Sequence, residues 1–262
     1  MKLKILALFL ILLLVVPGFT ACGPTQDRET LTQVSTIDAI LNGVYDGVIS
    51  CGQLVEYGDF GIGTFEGLDG EMVVLDGKVY QVKANGVAYL VDSSVMTPFA
   101  SVTWYDSDKQ IALSGETLTY TQIQTLINDS LPTENIFCAI KITGTFSYMK
   151  TRSVPGQQKP YPPLVEVTKN QPVFEFYNVT GTIVGFFCPT YVDGVNVVGY
   201  HLHFINTAEN AGGHILDFTI ISGDISIDYT PVFTMILPGM DSDFYHLDLT
   251  PDLSGQLEQA EK

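Results

Sequence analysis

Residues 199–218 read GYHLHFINTAENAGGHILDF, and this pattern predicts a β-hairpin. Side chains alternate faces along a strand, so we expect His201 and His203 to point to one side and the apolar residues to the other. The segment after them has the composition of a turn and ends in two glycines, which favours a return of the chain beside the first strand. We therefore predict that His201, His203 and His214 share one face of the hairpin.

Three imidazoles on one face suit a divalent metal ion, zinc above all, with a position left open for substrate or water. The ordinary alternative is a surface strand that carries two solvated histidines. The chain has only 4 histidines and the flanks of this group are apolar, which favours the metal site. We assign His246, in the segment DFYHLDL, to a structural or surface role.

The composition indicates a globular protein that does not bind nucleic acid. Of the 262 residues, 46% are apolar and 16% are charged, so the chain can bury a large core. There are 12 basic and 29 acidic residues, which gives a formal charge of 12 − 29 = −17. A chain this acidic cannot build the basic surface that displaces counterions from phosphates.

The first residues are typical of an export signal. Lys2 and Lys4 precede an unbroken apolar run of 12 residues from Ile5 to Val16. A span needs about 20 apolar residues, so we interpret residues 1–21 as a signal peptide. Small residues before Cys22 resemble a lipobox, which predicts a lipid anchor at Cys22 and an exported, membrane-anchored lipoprotein that faces the extracytoplasmic side. Simple secretion is the alternative.

The remaining cysteines, Cys51, Cys138 and Cys188, are odd in number and form no CxxC motif. We predict that they are buried apolar thiols. A single disulfide stays open as an alternative, because disulfides persist outside the cytoplasm.

The rest of the chain predicts a mostly β, α+β protein with a few helices. Helical patterns cover residues 34–48 and 118–129, the second with Thr119 or Thr121 as its cap, and a meander of short strands covers 57–86. The proline-rich residues 154–163 form a loop or a linker. The predicted organisation is a flexible tether (22–33), an N-terminal subdomain (34–160) and a C-terminal β subdomain with the histidine hairpin and a short tail helix (161–262).

Two further residues are candidates for chemistry. Glu71 follows a tight turn close behind Thr64, where a carboxylate could act as an acid or a base. Arg152 is the only arginine in the body of the chain, and a guanidinium can bind a small carboxylate through two hydrogen bonds. From composition alone, a solvated turn glutamate and a surface arginine paired with an acid are the favoured interpretations.

Five blocks of sequence together resemble the α-acetolactate decarboxylases. They are spread over nearly the whole chain after the signal, and the HxH…GGH block is the most specific. The blocks are GDFGIGTFEGLDGEMVVLDGKVYQV (58–82), AIKITGTFSYMKTR (139–152), KPYPPLVEV (159–167), NVTGTIVGFFCPTY (178–191) and GYHLHFINTAENAGGHILDF (199–218).

The resemblance implies a zinc enzyme that converts (S)-2-acetolactate to (R)-acetoin and carbon dioxide. It implies zinc held by the three hairpin histidines, functional roles for Thr64, Glu71 and Arg152, and a further glutamate from the tail. Glu261 matches that tail position best, with Glu258 as the alternative. It also implies a mixed sheet and a smaller antiparallel, barrel-like sheet with the metal in the cleft between them, and a homodimer.

Two other classes of protein remain open from the sequence. A cupin-like metal enzyme also uses HxH on a strand, but the glutamate that usually follows after three or four residues is absent here, since Glu209 comes later. A non-enzymatic lipoprotein that captures a metal or ligand would fit the exported start and the acidic composition. It would not explain Glu71 and Arg152.

Overall fold

The computed structural model of the protein describes residues 27–261, which form two large β-sheets and one small two-stranded sheet, with short helices around them. The helices are α1 (Ile37–Leu41), α2 (Cys51–Leu54), α3 (Tyr120–Asn128), α4 (Leu164–Thr168) and α5 (Ser254–Glu261). The strands are β1 (Thr30–Val34), β2 (Ile49–Ser50), β3 (Phe60–Thr64), β4 (Glu71–Leu75), β5 (Lys78–Val82), β6 (Ala88–Leu90), β7 (Met96–Thr97), β8 (Ala100–Thr103), β9 (Lys109–Leu113), β10 (Leu118–Thr119), β11 (Phe137–Arg152), β12 (Val173–Cys188), β13 (Gly199–Asn206), β14 (Gly212–Thr230) and β15 (Val232–Ile236).

The first sheet is mixed and has seven strands in the order β15-β1-β8-β3-β4-β5-β6. Only the β1–β15 pair is parallel, and the other pairs are antiparallel. Strands β3 to β6 form the expected meander. Asp76 and Gly77 both adopt positive φ in the turn between β4 and β5, which is the backbone geometry of a tight hairpin.

The second sheet is antiparallel and is built on three long strands, β11, β12 and β14. Strand β13 pairs with β12 and, at its end, with the start of β14, so the strands β14-β11-β12-β13 close on themselves in a barrel-like manner. Register shifts between β11 and β14 increase the local twist and help this closure. Strands β9 and β10 extend the other side of β14.

The core lies between the two sheets and on the far side of the second one. Phe60, Ile62 and Val73 of the first sheet pack against Val184 and Phe186 of the second. On the opposite face of the second sheet, α3 adds its own apolar side chains to a separate cluster with β11 and β14. Because the two sheets are pressed together, polar side chains at the edge of their contact are buried as well.

The mostly β class is confirmed, and so is the helix expected at 118–129. Thr119 caps α3, and its hydroxyl accepts from the Gln122 N–H while the Gln122 side chain returns to the Thr119 backbone. The loop at residues 154–163 is also present. The helix expected at 34–48 is much shorter, because the chain enters α1 from a strand and leaves it at Gly43, whose φ is +82°.

The predicted tether, residues 22–33, is wrong at its C-terminal end. Strand β1 begins at Thr30 and is buried along its whole length. It lies between β15 and β8, and Leu31 is fully buried in the core. The polar composition of this segment suggested a tether, although its backbone pairs with a strand on each side.

The predicted boundary between residues 160 and 161 does not separate the two sheets. Strands β9, β10 and β11 precede it but belong to the second sheet, while β15 follows it and belongs to the first. The proline-rich loop therefore connects parts of one body, and Val154 and Leu164 at its ends are buried together.

The predicted signal peptide and Cys22 lie outside the described residues. Within residues 27–261, no helix has the length and apolar character needed to cross a lipid bilayer. Cys51, Cys138 and Cys188 are free and buried, as predicted. His246 lies exposed in a 3₁₀ turn, Asp243–His246, away from the other histidines.

Candidate metal centre and active site

The histidine hairpin forms as predicted from the sequence. His203 on β13 lies directly opposite His214 on β14, and His201 precedes His203 by two residues on the same face. Gly213 comes directly before His214 and has a φ of +135°. A Cβ at this position would lie 2.5 Å from the backbone oxygen of Arg152 on β11. The second glycine of the turn thus lets β14 approach β11 closely beside the site.

The three imidazoles converge in a buried place. Their ring centroids are 5.1 Å (His201–His203), 5.1 Å (His201–His214) and 5.4 Å (His203–His214) apart. One nitrogen of each ring lies within 4.8 Å of the other two, a spacing that a single metal ion can bridge. The residues are between 1% and 8% exposed, so little water reaches them.

The ring nitrogens of His203 have contrasting surroundings that fit a metal ligand. Its Nδ1 lies 2.7 Å from the backbone oxygen of Met72 on β4, which fixes the proton on Nδ1 and leaves a lone pair on Nε2. Its Nε2 is buried and has no hydrogen-bond partner among residues 27–261. A buried unpaired acceptor is costly, and a metal ion would satisfy it.

The electrostatics keep the imidazoles in the neutral, ligating form. Burial, with Arg152 adding to it, lowers the pKa of His201 to about 3. Burial and the neighbouring His201 lower the pKa of His203 to about 3, and burial lowers the pKa of His214 as well. At neutral pH all three are therefore available to a cation.

Glu71 reaches the histidines from the other sheet. It begins β4 and pairs in register with Thr64, whose hydroxyl donates to the backbone oxygen of Gly70 at 2.7 Å and so fixes the turn that precedes Glu71. The Oε2 atom of Glu71 lies 3.6 Å from Nε2 of His203. Burial, helped by the charge of Glu261 and opposed by Arg152, raises the pKa of Glu71 to about 7.

Arg152 ends β11 next to the three histidines. It pairs across the sheet with His214 on one side and with Val173 on the other, and it is only 3% exposed. Its Nη1 donates to Oε1 of Gln171 at 2.7 Å, and its Nη2 lies 3.6 Å from Oε1 of Glu261. Its Nε is buried and has no hydrogen-bond partner in the described part of the chain.

The tail places Glu261 in the same group. Leu257 and Ala260 dock α5 into an apolar cluster with α1 and α4. This brings Oε2 of Glu261 to 3.5 Å from Nε2 of His214 and 3.8 Å from Nε2 of His201. Burial raises the pKa of Glu261, while Arg152 and His203 oppose the shift. Glu258 is exposed and lines a neighbouring cavity instead.

These groups surround an inner cavity of about 40 Å³, beside an outer cavity of about 580 Å³. His214 and Glu261 line both, so they stand between the two spaces. The polar wall of the inner cavity consists of Thr64, Glu71, Arg152, His201, His214 and Glu261. Its apolar wall includes Ile37, Ile40, Leu68, Phe99, Val154 and Leu164.

Sequence reasoning missed the groups that support these residues. The backbone oxygen of Met72 and the side chain of Gln171 hold His203 and Arg152, and the backbone N–H of Val154 hydrogen-bonds Glu71. A backbone group carries no residue-type signal. Gln171 lies in a polar segment after α4, and only the pairing of β11 with β12 brings it to Arg152.

Comparison with known proteins agrees with this geometry. Residues 31–251 match the family model described as alpha-acetolactate decarboxylase. An alpha-acetolactate decarboxylase from Methanosarcina mazei is 50% identical over 234 residues, which are 89% of this chain and 81% of that protein. One from Methylococcus capsulatus is 43% identical over 236 residues, 90% of each chain.

A solved structure has the same fold. The crystal structure of alpha-acetolactate decarboxylase from Bacillus subtilis strain 168 superposes with a TM-score of 0.86 at 41% identity, over 88% of this chain and 99% of that one. On these grounds, the chain belongs to the alpha-acetolactate decarboxylase family.

Proposed function

We propose that this protein is a zinc-dependent decarboxylase that converts (S)-2-acetolactate to (R)-acetoin and carbon dioxide. The observation that carries the proposal is the buried Nε2 of His203, which has no hydrogen-bond partner in the described residues and lies beside two further neutral imidazoles and the Glu71 carboxyl. Membership of the family supports the same substrate and reaction.

The residues suit zinc at His201, His203 and His214. Three neutral imidazole nitrogens are a common catalytic zinc set, and such a set leaves coordination positions open. When bound, zinc supplies Lewis-acid chemistry that stabilises negative charge developing on oxygens of an α-hydroxyketone.

Arg152 is the group that we expect to bind the substrate carboxylate. Loss of carbon dioxide breaks the bond between the carboxylate carbon and the tertiary carbon, and the electron pair moves onto the adjacent ketone. The guanidinium holds the leaving carboxylate in place, because it is rigid, buried and permanently charged. The apolar wall of the inner cavity accepts the methyl groups and excludes water.

Glu71 and Glu261 are placed to manage the proton that replaces the carboxylate. Glu71 approaches from the first sheet and Glu261 from α5. Burial raises the pKa of Glu71 to about 7, so a protonated carboxyl is available near neutral pH. Delivery by one of these groups from a fixed side gives a single enantiomer of acetoin, and such proton transfer contributes roughly 10²–10⁴-fold to the rate.

The proposal is tested by an assay of acetoin formation from racemic acetolactate with the purified protein. Activity that disappears with a chelator and returns with zinc is the expected result, and chiral chromatography should show (R)-acetoin. Turnover unaffected by complete metal removal would refute zinc dependence. Metal binding with no acetoin formed would favour the non-enzymatic binding protein, and oxygen consumption with a hydroxyketone or keto acid would favour a cupin-like enzyme.

We further propose that the chain is exported and lipidated at Cys22. The proposal rests on the apolar run and on the small residues before Cys22. Fractionation of cells that express the full chain, with mass spectrometry of the N-terminal peptide, tests it. Lipid on Cys22 in the membrane fraction supports it, and an unprocessed cytoplasmic chain contradicts it.

We also propose a homodimer, as family resemblance suggests. β15 is an edge strand of the first sheet, and Val232 at its start and Leu237 directly after it are 46% and 42% exposed. Light scattering after size exclusion tests this proposal: twice the mass of the mature chain supports it, and a monomer at micromolar concentration contradicts it.

A further inference from the structure

The guanidinium of Arg152 has two edges with different surroundings. On one side, Nη1 donates to Oε1 of Gln171 at 2.7 Å. On the other side, Nε is buried without a hydrogen-bond partner among residues 27–261, and Nη2 is 3.6 Å from Oε1 of Glu261, which is longer than a hydrogen bond. The side chain is only 4% exposed, so solvent does not satisfy the buried Nε.

The unsatisfied edge matches a carboxylate. In a planar guanidinium, Nε–H and one N–H of Nη2 lie parallel on the same edge, and together they fit the two oxygens of a carboxylate. A substrate carboxylate that enters the inner cavity would therefore satisfy the buried Nε with one oxygen and accept from Nη2 with the other. The position of Gln171 on Nη1 leaves this edge available.

Gln171 is itself held firmly against β11. It stands just before β12, and its N–H donates to the backbone oxygen of Thr168 at 3.3 Å. The next residue, Pro172, accepts from the N–H of Ser153 at 3.2 Å. The backbone at Gln171 thus keeps a fixed distance from Arg152, whose long side chain has several rotatable bonds of its own.

We propose that Gln171 is a positioning residue that turns the Nε–Nη2 edge of Arg152 toward the inner cavity, where this edge binds the carboxylate of the 2-hydroxy-3-oxo acid substrate side-on. The inference rests on the proposed function and adds the orientation of the arginine and the group that sets it. Without the Nη1–Gln171 hydrogen bond, the guanidinium would rotate among several rotamers, and few of them would present both donors.

The test separates carboxylate binding from metal binding with two small probes. 2-Hydroxy-2-methylpropanoate carries the carboxylate and hydroxyl of the substrate, and acetoin carries the hydroxyl and ketone without the carboxylate. Calorimetry on the zinc-loaded enzyme should show that Gln171→Leu weakens binding of the acid about tenfold and leaves the affinity for acetoin unchanged. A tenfold loss is the effect of one misplaced charge-assisted hydrogen bond. KM for acetolactate should rise by a similar factor, with a smaller change in kcat.

Two further variants serve as rescue and control. Gln171→Glu keeps an acceptor oxygen for Nη1 and should recover most of the lost affinity. Gln110→Leu removes an exposed glutamine from β9, away from the site, and should change neither probe. Zinc content, measured by mass spectrometry, should be equal in all of these variants.

The outcomes distinguish this inference from the proposed function. Wild-type affinity of Gln171→Leu for the acid would overturn the role of Gln171, and so would an equal loss for acid and acetoin, which would indicate general loosening. Arg152→Lys keeps the charge but lacks the side-on edge and should bind the acid about tenfold more weakly. If Arg152→Lys bound the acid normally, the carboxylate assignment in the proposed function would fail as well.

Discussion

His203 is central at the residue scale because both of its ring nitrogens have defined surroundings. The backbone oxygen of Met72 holds Nδ1, and Nε2 faces the other two imidazoles. Since Met72 belongs to the first sheet and His203 to the second, the orientation of this ligand depends on the contact between the sheets.

We expect His203→Ala to lose zinc and acetoin formation together, because the two histidines that remain hold the metal weakly. Metal content by mass spectrometry and turnover on the same sample measure this. His246→Ala is the matched control, since His246 is exposed and distant from the cluster. A zinc-loaded, fully active His203→Ala enzyme would disprove the assignment of the site.

A buried carboxyl outside the site makes a separate prediction about stability. Asp228 on β14 is 2% exposed, and burial, together with Asp108, raises its pKa to about 7 although the N–H of Asp106 opposes the shift. A carboxyl with a raised pKa in the fold stabilises it fully below the unfolded pKa, near 4, and this contribution is lost as the pH rises through about 7.

Asp228→Asn should therefore raise the free energy of unfolding at pH 8 by roughly 2 kcal/mol and change it little near pH 4. Urea unfolding at both pH values measures the difference. Asp224→Asn, an exposed acid on the same strand, should show no such difference between the two pH values. An equal effect of Asp228→Asn at both pH values would contradict the explanation.

Local patterns explain which site residues could be found from the sequence. The alternation at His201 and His203 and the glycine turn before His214 are contained in one hairpin, so strand periodicity was sufficient. The contact between Arg152 and Gln171 is made by a side chain after α4, and no local period points to it. Thr64 acts on the turn before Glu71, a role that its neighbours in sequence only suggest.

At the scale of elements, α5 brings a group to the site from the end of the chain. Its buried residues, Leu257 and Ala260, are packed beside α1 and α4, and its last turn holds Glu261. The family match ends at residue 251, so α5 lies beyond it. The function proposed for Glu261 therefore rests on the distances in this structure and on the tail resemblance.

Glu261→Gln should lower turnover about 10²-fold while zinc is retained, because it removes a proton-transfer group and leaves the three ligands intact. Glu258→Gln is the matched control in the same helix and should keep most of the activity, since Glu258 lines the outer cavity. Single-turnover rates and chiral analysis of acetoin measure both variants. Equal losses in the two would show that α5 acts only through its packing.

The helices differ in how well their sequences predict them. The capping box of Thr119 and Gln122 marks the start of α3, and Ile123 and Ile127 mark its buried face. The apolar spacing at 34–48 also continues into β1 on one side and a glycine turn on the other, so the pattern overestimated α1. A buried strand and a buried helix share the same apolar residues when each is short.

At the scale of the whole molecule, metal binding should stabilise the fold. The ligands come from β13 and β14, while Met72 and Glu71 lie on β4, so a bound ion would draw the two sheets together. A ligand that binds only the folded state adds about 2.7 kcal/mol at a hundred times its dissociation constant.

The zinc-loaded protein should therefore melt several degrees above the chelated one, since about 1 kcal/mol shifts Tm by about 2–4 °C in a protein of this size. Differential scanning fluorimetry at equal protein concentration measures the shift. The melting temperature of the His203→Ala variant should be the same with and without zinc. A wild-type melting temperature that does not respond to metal would show that the cluster holds no ion under those conditions.

The sequence could not predict how the strands are shared between the sheets. Sheet membership is set by pairings between distant segments, so a boundary drawn along the sequence between residues 160 and 161 does not follow it. β11 joins β14 and β15 joins β1, and neither choice has a local signature. Composition and patterning were enough to predict the α+β class. The assignment of each strand to a sheet could be read only from the structure.

The parallel pairing of β1 with β15 has a consequence for folding during synthesis on the ribosome. Thr30 pairs with Val232, a separation of 232 − 30 = 202 residues. While the ribosome still encloses residues 232–261, β1 has no partner on that side, and α5 has not yet reached the histidines. Long-range pairing is slow and comes late in folding. A nascent chain therefore completes the proposed site only after α5 has left the ribosome and docked.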